Sequence, residues 1–317
     1  MATSSRILIA FVALALVAAA CGSSATTTDA TTTTEPATTT TAEPTSTTAP
    51  ETTTTADPAT TTSAEPATTT TEPPPPAVER AVYWAWTIDS IVANSPERLG
   101  TGGRTVASPA DAIDALLAGP NTVEAEIGMG TNIPAGTTFL GLDITDGVAT
   151  IDLSGDFEQS GGTLGETFRA GQVVFTLTQF DEVELVKFRI DGVDVTELGS
   201  HGMDVTDGLD RDDFESIRAL ITVEGPYPGS VVTDPFHITG ESNTFEAGVE
   251  YAVVDWDGII IDEGFTTATN GNGVWGRFDI EVDVPDGTEG RGGVIVFETS
   301  ARDGSQVNVV EYPIEFG

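Results

Sequence analysis

The sequence predicts an α+β protein in which a mixed α/β domain is followed by an all-β sandwich and preceded by a disordered stalk. Three patterns lead to this prediction. Residues 22–77 consist almost entirely of Thr, Ala, Glu and Pro. Residues 79–194 alternate between helical and strand-like apolar periodicity. From Leu220 onward, short apolar runs are separated by turns about every eight to twelve residues, as a sandwich requires.

The N-terminal segment has the form of an export signal. Arg6 precedes an apolar run from Ile7 to Ala20, which is shorter than the roughly 20 residues that a membrane-spanning helix needs. A short apolar core behind a positive charge is typical of a signal peptide, here residues 1–20. Cys21, the one cysteine of the chain, follows this run directly.

The residues around Cys21 resemble a bacterial lipobox, although Ala18 stands where that motif usually has Leu or Val. The resemblance implies that Cys21 is lipidated and becomes the new N-terminus. The alternative is an ordinary signal peptide whose cleavage site lies near a free cysteine. We favour lipidation, because an unpaired thiol in an exported protein has no other evident use.

Residues 21–78 are predicted to be a lipidated cysteine followed by a disordered linker. This stretch has almost no large apolar side chain that could offset the entropy of ordering, and its Thr and Pro favour extended conformations. It would act as a spacer between the anchor and the folded part. A linker without a required length is the competing interpretation.

Charge excludes several classes of partner. The formal net charge is −38, from 12 Lys and Arg against 50 Asp and Glu. Nucleic acid is excluded as a partner, because binding to phosphates needs basic side chains, and electrostatic adhesion to anionic lipids is excluded for the same reason. We attribute the acidity mainly to solubility or salt adaptation, and less to the attraction of cations or a basic partner.

The first folded domain is predicted to span residues 79–194. Val82–Trp86 indicates an opening strand, and Ser108 is the expected N-cap of a helix that ends at Gly119. A helical turn or two is expected from Glu124 to Met129. The remaining expected elements are a hairpin around Asp146-Gly147, a helix from Thr163 to Phe180 and a strand from Val183 to Ile190.

Several motifs of this domain resemble the sporulation and germination domain called GerMN. They are AIDALLAGP (residues 112–120), TNIPAGT (131–137), GVATIDLS (147–154) and QVVFTLTQF (172–180). The resemblance implies a mixed α/β fold found on exported bacterial lipoproteins. It implies no catalytic residues.

Residues 195–218 are predicted to be an acidic linker. Its carboxylates suggest a cation site, but their spacing departs from the EF-hand pattern, so we assign no metal site. We expect a solvated segment from which Phe214 and Ile217 dock on a neighbouring domain. The carboxylates in question are Asp204, Asp207, Asp210, Asp212 and Asp213.

The second folded domain is predicted to span residues 219–317. Its short strands include the strictly alternating run Phe278 to Val284. Trp256 and Trp275 are expected in the core or on a sheet face, with an exposed aromatic binding face as the alternative. Gly225-Pro226, residues 243–246, residues 255–258 and FETSARDGS (297–305) resemble Gmad2, the immunoglobulin-like domain of bacterial spore germination proteins.

No catalytic constellation is evident in the sequence. The two histidines, His201 and His237, do not have metal-ligand spacing, and neither a nucleophile elbow nor a phosphate-binding loop occurs. We therefore predict no catalytic, cofactor-binding or metal-binding residues, and Cys21 is the one predicted site, for lipidation.

These patterns predict a lipid-anchored protein on the extracytoplasmic face of the cell membrane. It would be a binding or scaffold protein without catalytic activity, whose partner is an envelope protein or a wall polymer. Two alternatives remain: an accessory lipoprotein that regulates a membrane sensor or transporter, and a wall hydrolase that uses carboxylates of the first domain.

Overall fold

A computed structural model describes residues 76–87 and 97–317. The predicted signal peptide, Cys21 and nearly all of the predicted stalk lie outside the described residues. Among the residues that are described, no helix is both long and apolar enough to cross a membrane.

In its described residues, the first domain combines three α-helices with nine strands. The helices are α1 (Pro109–Ala118), α2 (Thr122–Glu126) and α3 (Gly162–Leu177). The strands are β1 (Val78–Trp86), β2 (Arg98–Val106), β3 (Met129–Gly130), β4 (Phe139–Thr145), β5 (Val148–Leu153), β6 (Leu185–Ile190), β7 (Val193–Asp194), β8 (Glu197–Leu198) and β9 (Met203–Asp204).

These strands form two main sheets and one small hairpin. One sheet has the order β2-β1-β3 and is antiparallel. The other has the order β4-β5-β6-β7, and β5 and β6 are parallel because α3 connects them. Helix α3 packs on β1 and is buried along most of its length, which explains its many β-branched and aromatic residues.

The ends of α1 lie where the sequence predicts them, whereas α2 begins before its predicted position. The Ser108 hydroxyl accepts a hydrogen bond from the Asp111 amide at 3.2 Å, and Gly119 ends α1 with a φ of 85°. The turn expected from Glu124 to Met129 is wrong in position. Helix α2 begins earlier because Asn121 and Glu124 form a reciprocal capping box.

Strand β2 was missed in the sequence because it contains three glycines in nine residues. The structure explains them by close approach of bulky neighbours. A Cβ atom at Gly102 would overlap the Glu124 carboxylate, and one at Gly100 would lie 2.8 Å from the Trp86 ring. The glycines of β2 therefore leave room for the side chains of Trp84 and Trp86, which lie over the paired strands. The same glycines weaken the sequence pattern by which a strand is predicted.

The second domain is a sandwich of two sheets, as predicted. Its strands are β10 (Ile221–Gly225), β11 (Val231–Val232), β12 (Phe236–Ser242), β13 (Gly248–Asp255), β14 (Ile260–Thr267), β15 (Gly276–Val282), β16 (Gly290–Thr299) and β17 (Gln306–Phe316). One sheet has the order β10-β12-β15 and the other has the order β11-β17-β16-β13-β14. The alternating β15 places Phe278, Ile280 and Val282 in the core.

The segment 195–218 is packed rather than solvated. Phe214 and Ile217 are buried, as expected, and both lie against Gly171 of α3. Val205 and Leu209 are buried as well, and Leu209 forms a β-bridge with Val186. The expectation of a solvated segment was therefore wrong, because apolar side chains between its carboxylates join the core.

The two domains are in direct contact along β2. The Thr101 amide donates to the Tyr312 phenol at 3.1 Å, and the Leu99 amide donates to the carbonyl of Ile217, in the segment that joins the domains, at 2.9 Å. The Thr101 hydroxyl also donates to the Val223 carbonyl. Contacts of this kind explain why all described residues belong to one compact unit.

Candidate binding cleft

The domain junction forms an open cleft of about 750 Å³. One wall comes from the first domain, through Trp86 and the loop that follows α2. The other wall comes from the second domain, through the end of β13, the start of β16 and part of β17. Clefts between domains are preferred places for ligands, so this cleft is the main candidate for a binding site.

The first-domain wall is held rigidly. Trp86 is buried, and its indole Nε1 donates to the Ile127 carbonyl at 2.7 Å. Its ring lies 5.4 Å from the ring of Tyr312, centroid to centroid. Burial raises the pKa of Tyr312 to about 12, so this phenol stays neutral and remains able to hydrogen-bond with Thr101.

Trp256 lies at the rim of the cleft and is 73% exposed. The expectation that it belongs to the core or a sheet face was wrong, because it sits in the turn that connects β13 and β14. The Asp255 carboxylate shapes this turn by accepting from the Asp257 and Ile259 amides at 2.9 and 2.8 Å. The Asp255 carboxylate is thus hydrogen-bonded within the turn, while the indole of the neighbouring Trp256 faces solvent.

The charges that line the cleft are predominantly acidic. Glu126, Asp255 and Glu311 contribute carboxylates, and Arg291 is the one basic residue among the lining residues that the structure describes. An exposed indole surrounded by carboxylates suits a ligand with apolar area and positive charge, because cations are attracted both to carboxylates and to the face of an aromatic ring.

A second cleft of about 820 Å³ also lies between the domains, but it is strongly polar. Three arginines meet one carboxylate beside it: Arg211, Arg218 and Arg277 lie 3.0, 2.8 and 3.3 Å from Glu241 oxygens. Arg218 also lies 3.4 Å above the ring of the half-buried Trp275. Glu241 and Arg277 face each other on β12 and β15, and Arg211 and Arg218 reach them from segment 195–218. Arg211 also donates to Thr178 and to the Phe175 carbonyl of the first domain, which indicates a structural role.

Ser200, His201 and Glu166 form the cluster that most resembles a Ser-His-carboxylate catalytic triad. The Ser200 hydroxyl donates to Glu166 Oε1 at 2.7 Å, and His201 Nδ1 lies 3.0 Å from Glu166 Oε2. The Ser200 hydroxyl also lies 3.1 Å from His201 Nδ1. In a catalytic triad the serine and the carboxylate contact opposite ring nitrogens of the histidine, whereas here both contact Nδ1 and the serine also binds the carboxylate directly. Hydrogen bonds from Ser200, opposed by burial and supported by His201, lower the pKa of Glu166 to about 2, so the cluster holds a stable carboxylate.

His237 lies in a different environment, on the exposed face of β12. Its Nδ1 is 2.6 Å from the Asp279 carboxylate, and this hydrogen bond raises the pKa of the imidazole. In the part of the chain that the structure describes, no group of three or more His, Cys, Asp or Glu residues has the arrangement of a metal site.

The structure thus adds a site that the sequence left open. The predicted lipidation site, Cys21, lies outside the described residues. Trp256 was considered in the sequence analysis. Its exposure could have been predicted from its neighbours, because it stands between Asp255 and Asp257, and Asp257 is followed by Gly258. Such a composition is typical of a turn, where an indole has no sheet to pack on.

The architecture defines a two-domain chain in which a mixed α/β domain is packed directly against an immunoglobulin-like sandwich. Residues 81–196 match the Germane family, described as "Sporulation and spore germination". Residues 220–305 match Gmad2, described as "Immunoglobulin-like domain of bacterial spore germination". The chain therefore combines a GerMN domain with a Gmad2 domain, as the sequence motifs had indicated.

Solved structures give only a weak likeness. The first GerMN domain of the sporulation protein GerM from Bacillus subtilis is 27% identical, with a TM-score of 0.34 over 43% of this chain and 99% of that one. The tandem GerMN domains of the same protein are 19% identical, with a TM-score of 0.36 over 65% of this chain and 61% of that one. A search of curated proteins found no match.

Proposed function

We propose that this chain is a lipid-anchored binding protein on the extracytoplasmic face of the cell membrane, and that it acts by binding rather than by catalysis. The observation that supports this proposal most directly is the cleft at the domain junction, with the exposed Trp256 at its rim. Tryptophan is enriched among the residues that carry most of the binding energy at protein interfaces, so an exposed indole at the rim of a cleft favours a contact site.

The contacts between the domains support the same function. The cleft walls come from different domains, and Trp86 and Tyr312 fix them relative to each other through buried ring contact. A preformed site loses less entropy on binding than a flexible one. The chain would therefore present a rigid cleft at the end of its stalk, and Cys21 would hold the other end at the membrane.

Photo-crosslinking in intact envelopes tests the binding function. A photoreactive phenylalanine analogue replaces Trp256 in the full chain, and a matched protein carries it at Leu140, which is exposed on β4 of the first domain. We expect the label at position 256 to capture one discrete envelope protein or wall polymer and the label at position 140 to capture none. Equal, diffuse labelling from both positions would contradict the proposal.

Membrane fractionation tests the anchor separately. Cys21→Ala should move the full chain from the membrane fraction to the soluble fraction, whereas Ser23→Ala, two residues further on, should not. Retention of Cys21→Ala in the membrane would show that something other than a lipid at this residue holds the protein. Incubation of purified protein with isolated wall should release no soluble fragments, and release would favour the hydrolase.

A further inference from the structure

The hairpin of β13 and β14, residues 248–267, exposes an unusual amount of apolar surface. Four large apolar side chains are at least half exposed along it: Trp256 at 73%, Ile259 at 63%, Ile260 at 52% and Phe265 at 80%. They extend from the rim of the cleft along β14. A row of this kind, rather than a single exposed residue, indicates an interaction surface. We call these four residues the hairpin surface.

Strand β14 is also the edge of the five-stranded sheet. Among the strands that the structure describes, β13 is its one pairing partner, so backbone groups on its other side are open to pairing except near Thr266 and Thr267, which approach β15. Edge strands are usually protected by charged side chains, proline or bulges, and β14, with the sequence IIDEGFTT, contains no lysine or proline. Asp262, Glu263 and the bulge near Ile260 protect it against acidic or identical strands, but they do not repel a basic one. The edge is long enough, at eight residues, to accept another strand.

Charge selects the kind of strand that fits. The hairpin contains no Lys or Arg, and its carboxylates flank the exposed apolar side chains. Trp256 lies between Asp255 and Asp257, and Phe265 pairs directly with Glu250 on β13. The full set of carboxylates is Glu250, Asp255, Asp257, Asp262 and Glu263.

A second copy of this chain is a poor occupant for the same reason. Pairing of β14 with itself would bring Asp262 and Glu263 close to the same residues of the other copy, and like charges on neighbouring strands are destabilising. The tyrosine hydroxyl of Tyr251 donates to Asp262 at 2.8 Å, which fixes this carboxylate on the strand. A strand with basic side chains meets no such repulsion.

We propose that β14 accepts an extended, lysine- or arginine-containing segment of another envelope protein by strand addition. The backbone of the segment pairs with the free edge of β14, its apolar side chains cover the hairpin surface, and its basic side chains meet the flanking carboxylates and the Trp256 ring. This inference rests on the proposed binding function, since it names the chemistry of the partner.

Peptide titration tests strand addition on the full chain purified in detergent. The probe is a fluorescein-labelled octapeptide of alternating Lys and Val, followed by fluorescence anisotropy. We expect saturable binding that weakens as salt rises from 50 to 300 mM, because the charges are exposed. The same peptide N-methylated at every residue, so that neither of its edges can donate a backbone hydrogen bond, should bind at least tenfold more weakly. A Glu-Val octapeptide should not bind.

Variants identify the surface. Phe265→Ser and Trp256→Ala should each weaken binding about tenfold, which is the loss of about 1.4 kcal/mol. Phe245→Ala, which removes an aromatic ring that is 59% exposed outside the hairpin, should leave binding within twofold. Should either hairpin variant fold poorly by circular dichroism, Glu263→Lys provides an exposed charge reversal, and it should also weaken binding of the Lys-Val peptide.

The outcomes separate this inference from the proposed function. Equal binding of the normal and N-methylated peptides, or equal binding to Phe265→Ser and wild type, would overturn strand addition. Saturable binding of chitotetraose that requires Trp256, without peptide binding, would overturn it as well but would leave a wall-polymer binding protein. The proposed binding function itself fails if the label at position 256 captures nothing, or if it labels as diffusely as the label at position 140.

Discussion

The Thr101 amide of the first domain donates a hydrogen bond of 3.1 Å to the phenol oxygen of Tyr312 in the second domain. Both residues are buried, and the Thr101 hydroxyl lies 3.0 Å from the same oxygen. One tyrosine of the last strand therefore satisfies two polar groups of β2, which lies more than 200 residues earlier in the chain, and this contact joins the two domains.

We expect Tyr312→Phe to destabilise the whole folded region. The substitution keeps the ring that packs on Trp86 but leaves the buried Thr101 amide without a partner, which costs about 1–3 kcal/mol. Urea unfolding followed by circular dichroism measures the free energy of unfolding. Tyr251→Phe, which removes a hydroxyl bonded to Asp262 at a more exposed site, is the control and should cost less.

We expect Glu241→Gln to weaken the domain junction. The carboxylate faces Arg211, Arg218 and Arg277, and its removal leaves positive charges close together at a poorly hydrated position. Breaking a buried ion pair costs about 3–5 kcal/mol, and the lower end applies here because Arg277 is exposed. Limited proteolysis should cut faster between the domains. Wild-type resistance in this variant would contradict the structural role of Glu241.

We expect Gly102→Ala to be strongly destabilising, although alanine is normally a mild change. A Cβ atom at this position overlaps the buried Glu124 carboxylate, which is bound to Arg104 at 2.6 Å. Overpacking of this kind costs about 1–3 kcal/mol. Gly141→Ala on β4 is the matched control, because a Cβ atom there meets nothing within 4 Å. Equal thermal midpoints for the two variants would refute the explanation of the β2 glycines.

We expect Glu166 to make stability depend on pH in the acidic range. Its pKa in the folded state, about 2, lies below the ordinary value of 4.5, so the ionised carboxylate stabilises the fold above about pH 4.5. This contribution is lost as the pH falls from about 4.5 towards 2, because over this range the carboxyl binds a proton in the unfolded state but stays ionised in the native state. Unfolding measured at pH 6, 4 and 3 should show a steeper loss for wild type than for Glu166→Gln.

Glu182→Gln is the control for this measurement, because Glu182 is an exposed carboxylate on the same domain. It should retain the wild-type slope between pH 6 and pH 3. A Glu166→Gln variant with the same slope as wild type would mean that the hydrogen bonds from Ser200 and His201 do not stabilise the ionised form.

The sequence by itself determined the elements whose signals are local. The cap at Ser108, the Asp-Gly turns and the alternation of Phe278, Ile280 and Val282 each depend on neighbours a few residues away, and the structure places them as expected. The GerMN and Gmad2 motifs were likewise evident in the sequence and match both families. Fold class and family followed from this information.

Only the tertiary structure decided the features that depend on distant partners. Strand β2 forms despite its glycines because two tryptophans and Glu124 occupy the space that side chains would fill. Trp256 is exposed because the turn after β13 carries it away from the sheet. Glu241 gathers three arginines because Arg277 faces it on the neighbouring strand and segment 195–218 packs Arg211 and Arg218 against it. The periodicity of the sequence indicates which residues are apolar, but it does not indicate which surfaces of the two domains contact each other. The candidate cleft is formed by that contact between the domains.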